Sequence, residues 1–325
     1  MFSPTTSPFG YSSFQKEESF RYLCFDTLSK KDMPRQKTNG TFASLQEEHY
    51  LWKALEEKPL WWRNILNDPE LYVEVRKDNY INVYYYGGCV ALIQWSNGHI
   101  VAEIHKKYTT DHFDAKEQTI TSNYYDCQEL FQSQEGLEAI KRRISQVYHK
   151  LPAQEDVNNR KNIHISSEKI VQGELILCNR NRYIDSELAH QTEGRKTMRI
   201  DLVELKHQTL FFVELKLITD SRLRHLDSQP EIIAQMKKYH DFINRYQEDI
   251  ISYYRKTLQI KRRIGIWTGE PIIKEVSHKP ELLIIDTYSQ MTKGRETRIA
   301  NIRELLETGQ QHFNFSIQKY QQLYL

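Results

Sequence analysis

Three ionisable residues, Asp201, Glu214 and Lys216, have types and spacing suited to chemistry on a phosphate ester. They lie in the stretch MRIDLVELKHQTLFFVELK, which starts at Met198 and ends at Lys216. Its pattern predicts a β-hairpin with arms at Ile200–Leu205 and Thr209–Leu217 and a polar turn at Lys206-His207-Gln208. The second arm is an almost continuous apolar run, as expected of a central strand covered on both faces. Glu214 and Lys216 interrupt that run two residues apart, so they point to one face. Burying two charges is costly unless partners offset the desolvation. Hairpin pairing can bring the Asp201 carboxylate beside Glu214. Two converging carboxylates suit a hard divalent cation, and a lysine next to them can serve a bound water or a phosphate. Val-Glu-Leu-Lys also occurs at Val203–Lys206, but there it borders the turn, where the charges are expected to be solvated.

The constellation Asp201-x12-Glu214-x-Lys216 resembles the core of the PD-(D/E)XK nuclease superfamily, with Ile200 in the place of the proline of the family's name. A second match follows on a predicted helix. Gln235-Met-Lys-Lys-Tyr239 is a Q-x-x-x-Y pattern whose ends share one helical face, and it resembles the RecB-like branch. The resemblance covers about residues 165–290. It implies an α/β chain (α+β overall) with a restriction-endonuclease-like α-β-β-β-α-β core and a central mixed sheet.

The same resemblance implies a metal-dependent nuclease that hydrolyses phosphodiester bonds, of DNA rather than RNA, in defence, restriction or DNA processing. Asp201, Glu214 and the backbone carbonyl of Leu215 would hold Mg²⁺ or Mn²⁺. Lys216 would position water or phosphate, and Gln235 and Tyr239 would buttress the site. A glutamate of the first core helix often joins such sites. Glu168 and Glu174 of that helix, and Glu187 on the first strand, are the candidates, with Glu168 favoured because it stands about three turns before the helix ends. Arg222, Arg224, His225, Lys237 and Lys238 crowd the same region and form the expected nucleic-acid track, although each alone reads as a solvated group. A homodimer is one assembly such nucleases use. The rival readings are a catalytically silent nuclease-like module that binds nucleic acid or a protein partner, and a coincidental triad in an ordinary mixed sheet.

Elements on both sides must position these residues. Ser166-Ser167 are good cap residues for a helix running to Cys178, ahead of a strand at Tyr183–His190 and a turn at Thr192–Arg195. After the hairpin, the pattern predicts one long helix from Pro230 to about Arg255 and strands at Arg263–Gly269 and Leu282–Tyr288. A helix near Arg295–Glu307 and a strand around Phe313–Ile317 close the chain. Upstream, Ser44-x-x-Glu47 has capping-box spacing and opens a helix through Glu57. A second short helix stops before Pro69. A β-meander follows (Leu71–Lys77, Tyr80–Gly88, Cys89–Trp95, His99–Tyr108) with a hairpin signal at Asn97-Gly98, expected to pack on the helices through the tryptophans. Arg76, Lys77, Lys106 and Lys107 among its tyrosines could form a nucleic-acid surface. Ordinary strand aromatics are the better account, since Tyr is favoured in strands. Glu135–Leu151 reads as a basic amphipathic helix. The resulting plan is a mostly disordered tail at 1–42, a helical and β-meander domain at 43–151, a linker at 152–165 and the nuclease-like domain at 166–325.

Composition narrows the function classes. The chain of 325 residues is 39% hydrophobic and 27% charged, with a formal net charge of +2. A global polycation is excluded, so nucleic-acid contact must come from local patches. No apolar run approaches the ~20 residues a membrane span needs. The N-terminus carries no signal-like apolar segment, which makes cytoplasmic residence the expectation. Cys24, Cys89, Cys127 and Cys178 are scattered without a C-x-x-C pair, which argues against a disulfide framework, a zinc site or an iron–sulfur cluster. No P-loop is present, so no ATP motor is built in.

Overall fold

A computed structural model of the chain describes Phe42 and residues 44–105, 108, 124–149, 167–191, 197–223 and 231–324. Two β-sheets and seven α-helices make up these residues, a mixed α/β architecture. No helix among them is long and apolar enough to cross a membrane.

Helices α1 (Tyr50–Glu56) and α2 (Leu60–Asn67) come first. They lead into strands β1 (Leu71–Arg76), β2 (Tyr80–Tyr85), β3 (Gly88–Ser96), β4 (His99–His105) and β5 (Tyr124–Asp126), then helix α3 (Gln134–Val147). The five strands form an antiparallel meander in sequence order. Its turns use left-handed residues where expected: Asn79 (φ 60°), and Asn97-Gly98 (φ 49° and 85°). Trp52, Trp61 and Trp62 are buried under this sheet.

The second layer begins with α4 (Glu168–Cys178) and strands β6 (Tyr183–Gln191), β7 (Thr197–Lys206) and β8 (Thr209–Leu217). Helices α5 (Glu231–Arg245) and α6 (Gln247–Arg263), a short β9 (Glu275–Val276) and β10 (Glu281–Asp286) follow, with α7 (Lys293–Glu307) and β11 (Asn314–Lys319) last. The sheet order is β11-β10-β8-β7-β6, with β9 on the start of β8. β6, β7 and β8 run antiparallel, whereas β10 lies parallel to β8 and β11 parallel to β10. A parallel neighbour requires a crossover, and α5 and α6 provide it. β8 is covered on both faces, as its apolar run predicts. Val213, Leu215 and Leu217 pack with Val171 and Leu175 of α4, while Leu210 and Phe212 join the core that contains Phe242 and Tyr254 of α5 and α6.

Several expected elements differ, each for a tertiary reason. The first helix starts at Tyr50 rather than Ser44, capped by His49 Nδ1 accepting from Leu51 N. Asn79 in the β1–β2 turn claims the preceding residues: its Oδ1 accepts from Gln46 N at 2.8 Å and its Nδ2 donates to Ser44 O at 2.9 Å. The single long helix is two helices, broken at Tyr246 (φ −121°, ψ 25°). Arg263–Gly269 is not a strand. α6 runs to Arg263, and Gly265 at φ 88° ends it with Ile266 N bonding back to Lys261 O. Phe42, assigned to the tail, is buried against Phe242 and Tyr253. The rest of that tail, Lys106, Lys107, Pro230, the Thr192–Arg195 turn and the 152–165 linker lie outside the described residues. Lys141 of the basic helix α3 is buried and paired with Asp68 and Glu70 at 2.8 and 3.0 Å, and with Glu138.

One hydrophobic core runs from Trp52 and Trp62 through Phe212 and Tyr254 to Leu306. A buried charge network crosses it. Arg76 of β1 donates to Asp185 Oδ1 (3.0 Å), Ser186 O (2.8 Å) and Asn82 Oδ1 (3.1 Å). Glu74 accepts from Lys261 Nζ of α6 at 2.6 Å and from Ser186 Oγ at 3.0 Å. Tyr254 OH donates to Asp185 Oδ2 at 2.9 Å.

The turn after β2 also presses on α4. A Cβ built on Gly173 would stand 2.7 Å from Tyr86 Cα, a backbone atom that cannot swing aside. Gly173→Ala is expected to cost about 1–3 kcal/mol, read as a lower urea midpoint at unchanged slope.

Candidate active site

Main-chain pairing of the central hairpin runs from Lys206↔Thr209 to Leu202↔Val213 and then stops. Beyond that point the backbone groups bond to side chains, because interior N–H and C=O groups need partners. Leu215 N donates to Asp201 Oδ2 at 3.0 Å, and Gln172 Nε2 to Asp201 O at 2.5 Å. Lys216 Nζ donates to Leu215 O at 2.6 Å, and Tyr239 OH lies against Arg199 O. β10 continues along the other edge of β8, opposite Glu214 and Lys216. The splay between β7 and β8 thus makes room for a polar site inside an apolar sheet. The side chains that fill this room also complete the sheet's hydrogen bonds.

Asp201, Glu214 and Lys216 come together there. Lys216 Nζ lies 2.6 Å from Glu214 Oε1 and 3.5 Å from Asp201 Oδ2. It is also 3.5 Å from Glu168 Oε2, which selects Glu168 from the three upstream candidates. Glu174 instead accepts from Tyr320 OH at 2.6 Å. Glu187 pairs with Lys169 and accepts from Gln172 Nε2 at 3.2 Å. Glu168 opens α4 just after its cap Ser167, where the helix N-terminus favours a carboxylate.

The helix motif performs as its spacing implies. Gln235 Nε2 donates to Glu214 Oε1 at 2.7 Å, and Tyr239 OH donates to Glu214 Oε2 at 3.0 Å. Gln235 Nε2 also lies 2.6 Å from Tyr239 OH. Both Glu214 oxygens are therefore held from α5. Burial, with Asp201 beside it, pushes the Glu214 carboxyl up to about 7 against the pull of Lys216 and Tyr239. Burial lowers the Lys216 ammonium, but Glu214, Asp201 and Glu168 outweigh it and hold the proton above the ordinary lysine value. Burial likewise raises the Glu168 carboxyl.

The basic track is brought together only in part. Arg222 stands at the site, with Nη2 3.8 Å from Glu168 Oε1. Lys237 and Lys238 are exposed on α5 and take no part in the hydrogen-bonded cluster. Arg224 and His225 lie outside the described residues.

Three participants, Gln172, Asp220 and Lys169, carried no sequence signal strong enough to single them out. Gln172 satisfies the Asp201 carbonyl, and Asp220 pairs with Arg222. Lys169 and Glu187 form the adjoining pair, and Glu187 takes a left-handed backbone (φ 56°) in mid-strand, opposite Asp201 in the β6–β7 register. The usable cue for Asp220 was its place just past the β8 strand with an arginine two residues on.

The donor set of the site is hard oxygen: three carboxylates and the Leu215 carbonyl. By type it fits Mg²⁺ or Mn²⁺. As the side chains stand, no group of three or more His, Cys, Asp or Glu among the described residues is arranged to hold an ion. The Lys216 ammonium stands between the carboxylates, so an ion would require that side chain to withdraw. Counting Glu168, Asp201, Glu214 and Asp220 against Lys216 and Arg222, the cluster carries a formal −2 when all are ionised. Comparisons with family models, with curated proteins and with solved structures find no match for this chain.

Proposed function

We propose that this chain is a divalent-metal-dependent nuclease that hydrolyses phosphodiester bonds, DNA being the expected substrate. Its framework would be the restriction-endonuclease-like core. The observation that carries the reading is the convergence of Asp201, Glu214 and Lys216 at the splayed hairpin, with Glu168 from α4 and Gln235 and Tyr239 from α5. The order α4, β6-β7-β8, α5–α6, β10, with β10 parallel to β8, supports it as well.

Asp201, Glu214, Glu168 and the Leu215 carbonyl would hold Mg²⁺ or Mn²⁺. When bound, such an ion supplies Lewis-acid stabilisation of charge on the attacked phosphate and eases ionisation of water. The formal −2 of the cluster matches one divalent cation. Gln235 and Tyr239 fix the Glu214 carboxylate in one orientation, so its ligating edge is set before substrate arrives. Lys216, once withdrawn from Glu214 and Leu215, presents a compact ammonium to a phosphate oxygen or to the attacking water.

The test is cleavage of supercoiled, linear and single-stranded DNA and of RNA by the full chain in Mg²⁺ or Mn²⁺. Cleavage that EDTA abolishes is the expected result. Nucleic-acid binding without any cleavage would instead favour a silent binding module. Absence of both binding and cleavage would overturn the reading.

A further inference from the structure

The loop that follows β8 carries a preset guanidinium beside the site. Asp220 Oδ1 accepts from the backbone N of Arg222 (2.8 Å) and from its Nε (3.0 Å), and Asp220 Oδ2 accepts from Nη2 (2.7 Å). This two-point fork, closed by a local turn, fixes the plane of the guanidinium. The loop is itself anchored on both sides. Ile218 N bonds Ile285 O of β10, Arg298 Nη2 of α7 bonds Ile218 O, and Leu223 is buried. Arg222 and Lys216 approach opposite oxygens of Glu168, Nη2 at 3.8 Å from Oε1 and Nζ at 3.5 Å from Oε2. Burial works to raise the Asp220 carboxyl, but the hydrogen bonds it accepts from Arg222 and from Glu168 keep it well below the usual carboxylate range.

We infer that Arg222 binds a non-bridging oxygen of the substrate's phosphodiester, and that Asp220 is the positioning residue that aims it. The inference rests on the nuclease reading above and names a phosphate subsite within it. A guanidinium that only neutralised acids would need no fixed plane, whereas the fork leaves the Nη1 edge of a rigid, planar donor available to a phosphate. With an ion in the cluster, Lys216 and Arg222 are the two protein cations that stand beside the carboxylates to face a phosphate. The contact is to backbone chemistry that DNA and RNA share.

The test measures equilibrium binding of fluorescent 20-residue DNA and RNA oligonucleotides to the full chain in Ca²⁺, across a salt series. The same oligonucleotides are then cleaved in Mg²⁺. One lost phosphate contact reduces the slope of log K against log salt by about 0.7–0.9. Arg222→Gln is expected to show that loss, together with a fall in kcat/KM of about 10²-fold. Arg222→Lys should recover the slope but only part of the rate, because an ammonium has the charge without the fork. Asp220→Asn should keep the slope and lower the rate about 10-fold, and it reports on the clamp even if Arg222→Gln folds poorly. Equal responses with DNA and RNA place the contact on the phosphate, and a response confined to one of them overturns a shared backbone subsite. An unchanged slope in Arg222→Gln, while the wild type binds and cuts, overturns this inference and leaves the nuclease reading standing. A wild type that neither binds nor cuts removes both.

Discussion

Asp201→Asn and Glu214→Gln are each expected to lower phosphodiester cleavage by about 10²–10³-fold in kcat, the range seen when one preorganised electrostatic contact is lost. Both replacements keep much of the local bonding. An Asn at 201 retains a side-chain oxygen for Leu215 N, and a Gln at 214 retains an acceptor for Tyr239. Thermal melts near those of the wild type should accompany the loss, which separates chemistry from folding. Lys216→Met is expected to be as damaging to the rate, yet it also leaves the Leu215 carbonyl and Glu214 without their shared donor, so its melt should fall. Cleavage by Asp201→Asn within about threefold of the wild type would remove the carboxylate pair from any catalytic role. That outcome would return Asp201 to a purely structural account, as the acceptor that closes the sheet.

Lys261→Met is the substitution with the largest expected effect on stability. Lys261 is buried with its ammonium on Glu74 at 2.6 Å and on Ile184 O at 2.6 Å. Removing one member of a buried pair strands the other, at about 3–5 kcal/mol, and a chain of this size should lose about 4–7 °C in melting temperature. A shift under about 1 kcal/mol would show that water reaches Glu74. The pH dependence carries its own sign. Burial is the largest influence on Glu74 and, with Asp185 adding to it, raises the carboxyl from 4.5 to about 7 despite Lys261 and Arg76. The folded chain therefore binds that proton more tightly than the unfolded chain does. The contribution to stability is full below about pH 4.5 and is lost as pH rises through about 7. Glu74→Gln should flatten the urea-midpoint profile across that window, and an undiminished slope would assign it to other groups.

The central hairpin was legible because its signals are local. A period-two apolar run, a polar turn and two charges on one face define strand, turn and site without any knowledge of the rest. His207 and Gln208 indeed take the left-handed conformations that a tight turn demands (φ 50° and 69°). Gln235 and Tyr239 were legible for the same reason, since helical spacing alone puts them together. Glu168 was favoured over Glu174 and Glu187 from its place early in the helix, but its contact with Lys216 depends on how α4 lies across the sheet. Gln172 and Asp220 were not legible: one satisfies a carbonyl freed by a splay that no local pattern announces, and the other holds an arginine through its own turn. The misplaced elements share one cause. Asn79 captured Ser44 and Gln46 from a helix that capping-box spacing would have begun, and Gly265 ended a helix where an apolar run imitated a strand.

The amide of Leu215 is held by a carboxylate where its neighbours in the sheet are held by carbonyls. Its exchange with solvent deuterium is therefore tied to the orientation and ionisation of Asp201, while the amides of Phe212 and Val213 answer to the opening of the sheet. A single backbone position thus acts as a gauge of the site's state. It would respond to anything that draws Asp201 away, with no probe attached and no reaction required.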